Sequence, residues 1–197
     1  MSQIAKFHSA VIENLPELSA EVMQGWIENP KAVAKVLAAF APVVKDKEVE
    51  TVSGLVSVDR TIRPIYPDWV KEVLHPELEN SGPAEYDVGQ LEQWLHDGQK
   101  NGGWVKGQVI YDHLKATDTL KDCASLRDLE EIQKKGVSFF REHFQGKVVY
   151  GWKSVVRYAD GDLRVPYLYE YGDEVMRRWR WLGGDWRGYR PALCFAK

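Results

Sequence analysis

At 197 residues the chain suits one domain of ordinary size, or a compact domain with a helical annex, and its 44% hydrophobic content excludes a disordered polypeptide. A net charge of −3 argues against a general polyanion binder; two cysteines far apart, Cys123 and Cys194, exclude a disulfide framework, point to a reducing compartment and leave room for one bridge at most. The opening MSQIAKFHSAVIENLPEL lacks an apolar core behind basic residues, and no stretch supplies the ~20 apolar residues of a membrane span. The expected location is cytoplasmic, with export lacking a cleaved signal as the open alternative.

Pro16 suits a first helical position, and Leu18, Val22 and Trp26 recur at helical spacing, with Met23 and Ile27 widening the stripe. Asn29-Pro30 stops that helix and opens a second, whose apolar face is Val33, Val36, Leu37 and Phe40. These helices make an N-terminal module over 1–44; Pro42 and the charged run 45–50 read as a linker or exposed loop. The rest, 50–197, reads as a second domain. Glu50 to Arg63 is rich in β-branched residues and predicts one or two strands. A short helix is expected from Asp68 to His75, then turns from Pro76 to Pro83, then a helix capped by Asp87 and running through Leu95. Gly98–Gly103 breaks that helix, and Val109, Ile110, His113 and Leu114 mark another.

Ser125 and Asp128 resemble a capping box, with Asp in the usual Glu position, opening a helix through about His143 whose face is Leu129, Ile132, Val137 and Phe140. After Gly146 the period falls to two. Lys147–Val156 reads as a strand, Ala159–Asp162 as a hairpin turn and Leu163–Tyr169 as its partner. Tyr171-Gly172-Asp173 makes a second turn and Val175–Leu182 a third strand. Helices first and antiparallel sheet last give an α+β class.

Chemistry-bearing patterns are sparse. The histidines (His8, His75, His96, His113, His143) form no HExxH pair, and the cysteines lack zinc spacing. The glycines between Gly98 and Gly107 lack the Lys-Ser/Thr of a phosphate cradle, and no GxSxG elbow occurs. The chain is expected not to be an enzyme, with no catalytic residues, no metal and no cofactor.

The C-terminal stretch stands apart. From Tyr171 onward six basic residues face three acidic ones, so the preceding 170 residues carry a net −6; half of the eight tryptophans are Trp152, Trp179, Trp181 and Trp186. In a strand, Arg178-Trp179-Arg180-Trp181 sends arginines to one face and indoles to the other. Beyond it, Gly183-Gly184-Asp185-Trp186-Arg187-Gly188-Tyr189-Arg190 mixes small, charged and aromatic residues as a paratope does. Composition equally fits a basic strand edge kept soluble by arginine. A third use of the same residues is nucleic-acid binding, with arginines on phosphates and aromatics stacking on bases, against which the overall acidity weighs.

The segments LPELSAEVMQGWIENPKAV, RPIYPDWVKEVLHPELENSGPAEYD, LRDLEEIQKKGVSFFREHF and GWKSVVRYADGDLRVPYLYEYGDEV, with the tail that follows, resemble the variable (target) proteins of diversity-generating retroelements over almost the whole chain. The resemblance implies a C-type-lectin-like domain over 50–197 with a variable region at about 148–197. It also implies an error-prone reverse transcriptase that randomises adenines in a template repeat. Asn codons AAC or AAT altered at either adenine reach Tyr, Arg, Gly, Ser, Asp and His, but never Trp, Lys, Glu, Gln or Met. Tyr158, Tyr169, Tyr171, Arg178, Arg180, Gly183, Gly184, Asp185, Arg187, Tyr189 and Arg190 are thus expected ligand-binding positions, as Asp162 and Gly188 are reachable ones. Trp179, Trp181 and Trp186 are expected as fixed, buried scaffold. The expected ligand is a protein or other macromolecule.

Overall fold

The computed structural model describes residues 19–29 and 54–196, and the chain divides into two compact units, 1–50 and 51–197. In the first unit Ser19 is extended and caps helix α1 (Ala20–Glu28), its Oγ accepting from Val22 N at 3.4 Å. Asn29 closes the helix by donating its N–H to Gly25 O at 3.1 Å, so the helix ends where Asn29 was expected to stop it. The start expected at Pro16, the second helix from Pro30 and the linker at 45–50 lie outside the described residues.

In the second unit β1 (Leu55–Ser57) pairs antiparallel with β3 (Glu85–Asp87) as a separate ribbon. The helix expected from Asp68 to His75 is instead β2 (Val70–Val73), which pairs with the later strand Val156–Tyr158. Its Val-Lys-Glu-Val pattern serves either period, and the tertiary pairing decides. Asp87 is a cap, its Oδ1 accepting from Gly89 N at 2.8 Å, but it caps only one 3₁₀ turn (Val88–Gln90) before the chain extends as β4 (Glu92–Trp94). Gly89 weakens any longer helix there, and the C-terminal strand takes β4 as its partner.

β5 (Trp104–Lys106) leads into α2 (Gly107–Ala116), which buries Ile110 and Leu114 while Val109 and His113 face out. The capping box is formed: Ser125 Oγ accepts from Asp128 N at 3.3 Å, and Asp128 Oδ2 accepts from Ser125 N at 2.8 Å. The helix it opens is two helices, α3 (Leu126–Lys134) and α4 (Gly136–Phe144). Gly136, at φ +84, makes the break in a conformation that costs glycine little.

The remaining elements are β6 (Val149–Tyr150), β7 (Val156–Tyr158), β8 (Leu163–Tyr171), β9 (Glu174–Trp181), β10 (Asp185–Arg187) and β11 (Ala192–Cys194). The single strand expected over Lys147–Val156 is interrupted by a 3₁₀ turn at Trp152–Ser154. Hydrogen bonds to the start of α3 enforce the turn: Lys153 N donates to Ala124 O at 3.2 Å and Leu126 N to Ser154 Oγ at 2.8 Å. Seven strands form the main sheet in the order β2-β7-β8-β6-β11-β4, with β9 along the other edge of β8. Among the described strands only β6 and β11 run parallel. Among the described residues of the expected strand region, 54–63, none joins this sheet; the additional strands come from Val70–Val73 and Glu92–Trp94.

Two-residue alternation sorts the side chains into two cores. Val149, Leu168, Val175 and Leu193 pack with Leu129, Ile132, Phe139 and Phe140 of α3 and α4 on one face. Tyr150, Val165, Ala192 and Cys194 pack with Ile110 and Leu114 of α2, Trp152 and Trp186 on the other. Buried charge is compensated locally. Asp128 receives Arg60 Nη2 at 2.6 Å and Arg60 Nη1 at 3.2 Å, and Lys153 donates to Ser81 O at 3.1 Å.

Glu79 is the exception. It is 5% exposed and accepts a hydrogen bond from Tyr66. Burial pushes its carboxyl up to about 7, against the pull of Arg63. The folded protein therefore holds this proton more tightly than the unfolded chain does. The resulting stabilisation is complete below the ordinary Glu range and is lost as pH rises through about 7. Glu79→Gln is expected to raise the Tm at about pH 8 and to flatten the decline between about pH 5 and 8. An identical pH slope in parent and variant would refute the assignment.

Candidate binding face

The β8–β9 hairpin turns through Gly172, at φ +59, and pairs eight residues without a break from Tyr171↔Glu174 to Arg164↔Trp181. One face of it is packed on α3 and α4 through Leu168 and Val175. The opposite face carries Tyr167, Tyr169 and Tyr171 from β8 and Met176, Arg178 and Arg180 from β9. Neighbouring tyrosines stand at ring spacings of 5.6 and 6.5 Å, ending on Tyr171, which is 70% exposed. Burial pushes the Tyr167 hydroxyl above its ordinary range, as does Tyr169, while Arg180, Arg190 and Arg178 pull it down. The arginines and tyrosines thus share one electrostatic environment.

The loop beyond β9 extends this face. Trp186 is fully buried, 4.2 Å from the Tyr150 ring and 5.0 Å from that of Trp152, while its neighbours Asp185 and Arg187 point outward. Gly107 opens α2 directly against the indole; a Cβ there would lie 2.3 Å from Trp186 Nε1. β10 pairs with β5, where Lys106 grips Asp185 at 2.6 Å and Trp104 stands opposite Arg187. The turn from Arg187 to Arg190 is pinned from below: buried Gln99 donates to the carbonyls of both residues at 3.1 Å. Tyr189 O accepts from Val148 N at 2.9 Å, so the turn lies beside β6. Tyr189 separates two depressions of about 490 and 360 Å³, one against Gln99–Gly103 and one against Tyr169 and Lys147.

Of the expected binding residues, Tyr171, Arg178, Arg187 and Tyr189 are exposed on this face, and Tyr169 lies on it half-buried. Arg180 and Arg190 are half-buried rather than fully displayed. The Arg180 guanidinium lies 5.5 Å over Trp186 and its Nη2 donates to Asp185 O at 2.8 Å, whereas Arg190 Nη2 donates to the Tyr189 hydroxyl at 2.9 Å. Among the described residues no acid forms an ion pair with Arg178, Arg180, Arg187 or Arg190; Arg177, on the other face, is bound to Glu130 at 2.7 Å. Asp185 is engaged by Lys106. Gly183 sits under the Trp181 indole, where a Cβ would meet the ring at 2.1 Å, and Gly184 lies against Arg180.

Three expectations fail. Tyr158 is on the opposite face, its ring 5.3 Å from Trp69 and 4.0 Å from the Arg164 guanidinium, because β7 pairs Val156 with Arg164. Trp181 is 50% exposed, not buried. Trp179 is half-buried, covered by Tyr66 and Trp69 at ring distances of 5.9 and 5.3 Å. The alternation of arginine and indole holds, but neither Trp179 nor Trp181 joins the core cluster that α3 and α4 build on that face. Tyr167 and Gln99, which sequence reading passed over, belong to the site. Tyr167 was legible from its spacing with Tyr169 and Tyr171; Gln99 had no sequence signal.

Elsewhere His96 and His113 approach with ring centroids 5.0 Å apart beside Trp94, and His75 Nε2 lies 2.6 Å from the Tyr111 hydroxyl. Among the described residues no three His, Cys, Asp or Glu side chains converge as a metal-ligand group, and no helix is long and apolar enough to cross a membrane. Comparison with protein-family models, curated proteins and solved structures gives no match to this chain.

The contrast between Trp186 and Trp181 sets a stability test. Trp186→Ala removes a fully buried indole and is expected to cost about 3–5 kcal/mol. Trp181→Ala should cost less than half as much. Urea midpoints at unchanged slope measure both, and equal losses would contradict the assignment.

Proposed function

We propose that this chain is a diversified ligand-binding protein, the target of retroelement mutagenesis, which displays variable residues on a fixed C-type-lectin-like scaffold. The observation that carries the proposal is the segregation of residue types on one surface. Tyr169, Tyr171, Arg178, Arg187 and Tyr189, all reachable from adenine-mutated Asn codons, lie on one face. Trp186 and Gln99, which hold the backbone beneath that face, are of types those codons cannot produce. Arginines without acidic partners beside a tyrosine row suit an incoming macromolecular surface, because Tyr and Arg dominate binding hot spots. The long β8–β9 hairpin, the helices backing it and the C-terminal strand set between β6 and β4 support the lectin-like reading of the fold. Nothing in the proposed role calls for a catalytic residue or a cofactor.

The experiment is sequencing of the 3′ part of the gene across a population of cells, together with its flanking DNA. Substitutions should concentrate at Tyr169, Tyr171, Arg178, Arg187 and Tyr189, spare Trp179, Trp181 and Trp186, and match adenines in a nearby repeat beside a reverse-transcriptase gene. Uniform variation, or variation at Trp186, would overturn the proposal.

A second reading has one observation in its favour: the same unpaired arginines suit phosphates, with tyrosines stacking on bases. A single-stranded oligonucleotide whose affinity fell with a log–log salt slope of about −3, as four phosphate contacts require, would support it.

A further inference from the structure

Cys123 and Cys194 are the chain's two cysteines, 71 positions apart in sequence, and the fold sets them side by side. Ala124 N donates to Leu193 O at 2.7 Å and Phe195 N to Asp122 O at 2.7 Å. These two bonds bracket the cysteines as directly opposed, non-hydrogen-bonded partners of an antiparallel bridge. In that position Cα atoms stand about 4.5 Å apart with side chains close, which lies within the span of roughly 4.4–6.8 Å that disulfides use. The Sγ atoms are 3.1 Å apart, so a closure of about 1 Å would join them. Both side chains are buried, and no third thiol competes for either.

We propose that Cys123 and Cys194 are a disulfide-forming pair that closes while the chain folds in an oxidising environment, tying β11 to the segment that precedes α3. With oxidised glutathione as the acceptor, one cysteine thiolate attacks a glutathione sulfur. The S–S bond of glutathione breaks, one glutathione thiolate leaves and a mixed disulfide remains. The second cysteine thiolate then displaces the other glutathione. Two protons leave the cysteines, and two electrons pass to glutathione, which ends as two thiols.

Folding also fixes which state persists. Burial pushes the Cys123 thiol well above its ordinary range, and the neighbouring Cys194 pushes the same way. The folded, reduced pair therefore offers no access, and Cys123 no thiolate. Bond formation belongs to the unfolded or opened chain, and the finished fold shields either redox state. The consequence reaches the binding face, because β11 follows directly on the turn that carries Arg187, Tyr189 and Arg190. A bridge at Cys194 would anchor the far end of the displayed loop.

The test unfolds the full chain under reductant and refolds it either in a glutathione redox couple or in reductant alone. Alkylation in denaturant and intact mass then count the thiols, and no variant is needed. The protein refolded in the couple should be monomeric, two hydrogens lighter and inert to alkylation, with a Tm about 5–10 °C above the reduced form. Folded, reduced protein placed in the same couple without denaturant should stay reduced far longer than the unfolded chain. Two alkyl groups on the refolded protein, bridges only between molecules, or an unchanged Tm would overturn the proposal. Equal oxidation rates for folded and unfolded chains would overturn the order of events.

Discussion

The burial of one indole ties the displayed loop to the sheet. Trp186 lies between two outward-pointing residues, so its own side chain is the loop's anchor, set among Tyr150, Trp152 and the first turn of α2. Aromatic side chains of this size bury some 150–250 Å², a large apolar payload for one position. Above it Arg180 spans the indole and bonds to the backbone of Asp185, while Gln99 holds the carbonyls of the following turn. The loop's conformation is thus set by side chains below the surface and by backbone groups, and little by the groups that point outward.

That arrangement separates two demands that usually conflict. A surface open to replacement cannot also provide the core, since truncating a large buried side chain costs several kcal/mol of a total stability of only about 5–15. Here the strand period performs the separation: Leu168 and Val175 face the helices while Tyr169, Tyr171 and Arg178 face out. The arginines keep unpaired charge on that surface, and the two depressions flanking Tyr189 give it relief. Partner chemistry can then change with the outward residues while β8, β9 and the anchors stay as they are.

Much of this was legible in the chain. The turns at Gly161 and Gly172 and the Ser125–Asp128 box carry local signals, and each appears where the sequence placed it, whereas the change to strand expected at Gly146 is not a clean boundary: five described strands precede it and Trp152–Ser154 breaks the one that follows. The errors come from long-range pairing. Val70–Val73 and Glu92–Trp94 are strands because Val156–Tyr158 and Ala192–Cys194 pair with them, and neither partner is local. Alternation puts Trp179 and Trp181 on the face away from the arginines, but a face is not a depth: neither indole joins the core cluster on that side, and Trp181 is half exposed. Tyr158 went to the wrong face because the pairing of β7 with β8, not its composition, fixes its direction. Gln99 carries no local mark at all; it acts on residues 88 and 91 positions away.

The central claim is that the displayed side chains are dispensable to the fold. Its most direct measurement is the thermal denaturation of one variant carrying Tyr169→Ser, Tyr171→Ser, Arg178→Ser, Arg187→Ser and Tyr189→Ser together. A cooperative transition with a Tm within about 5 °C of the parent is the predicted result, because four of the five positions are exposed, Tyr169 is half-buried outside both cores, and substitutions away from caps and cores each cost little. A broad, non-cooperative transition, or a loss as large as that of removing the Trp186 indole, would contradict it.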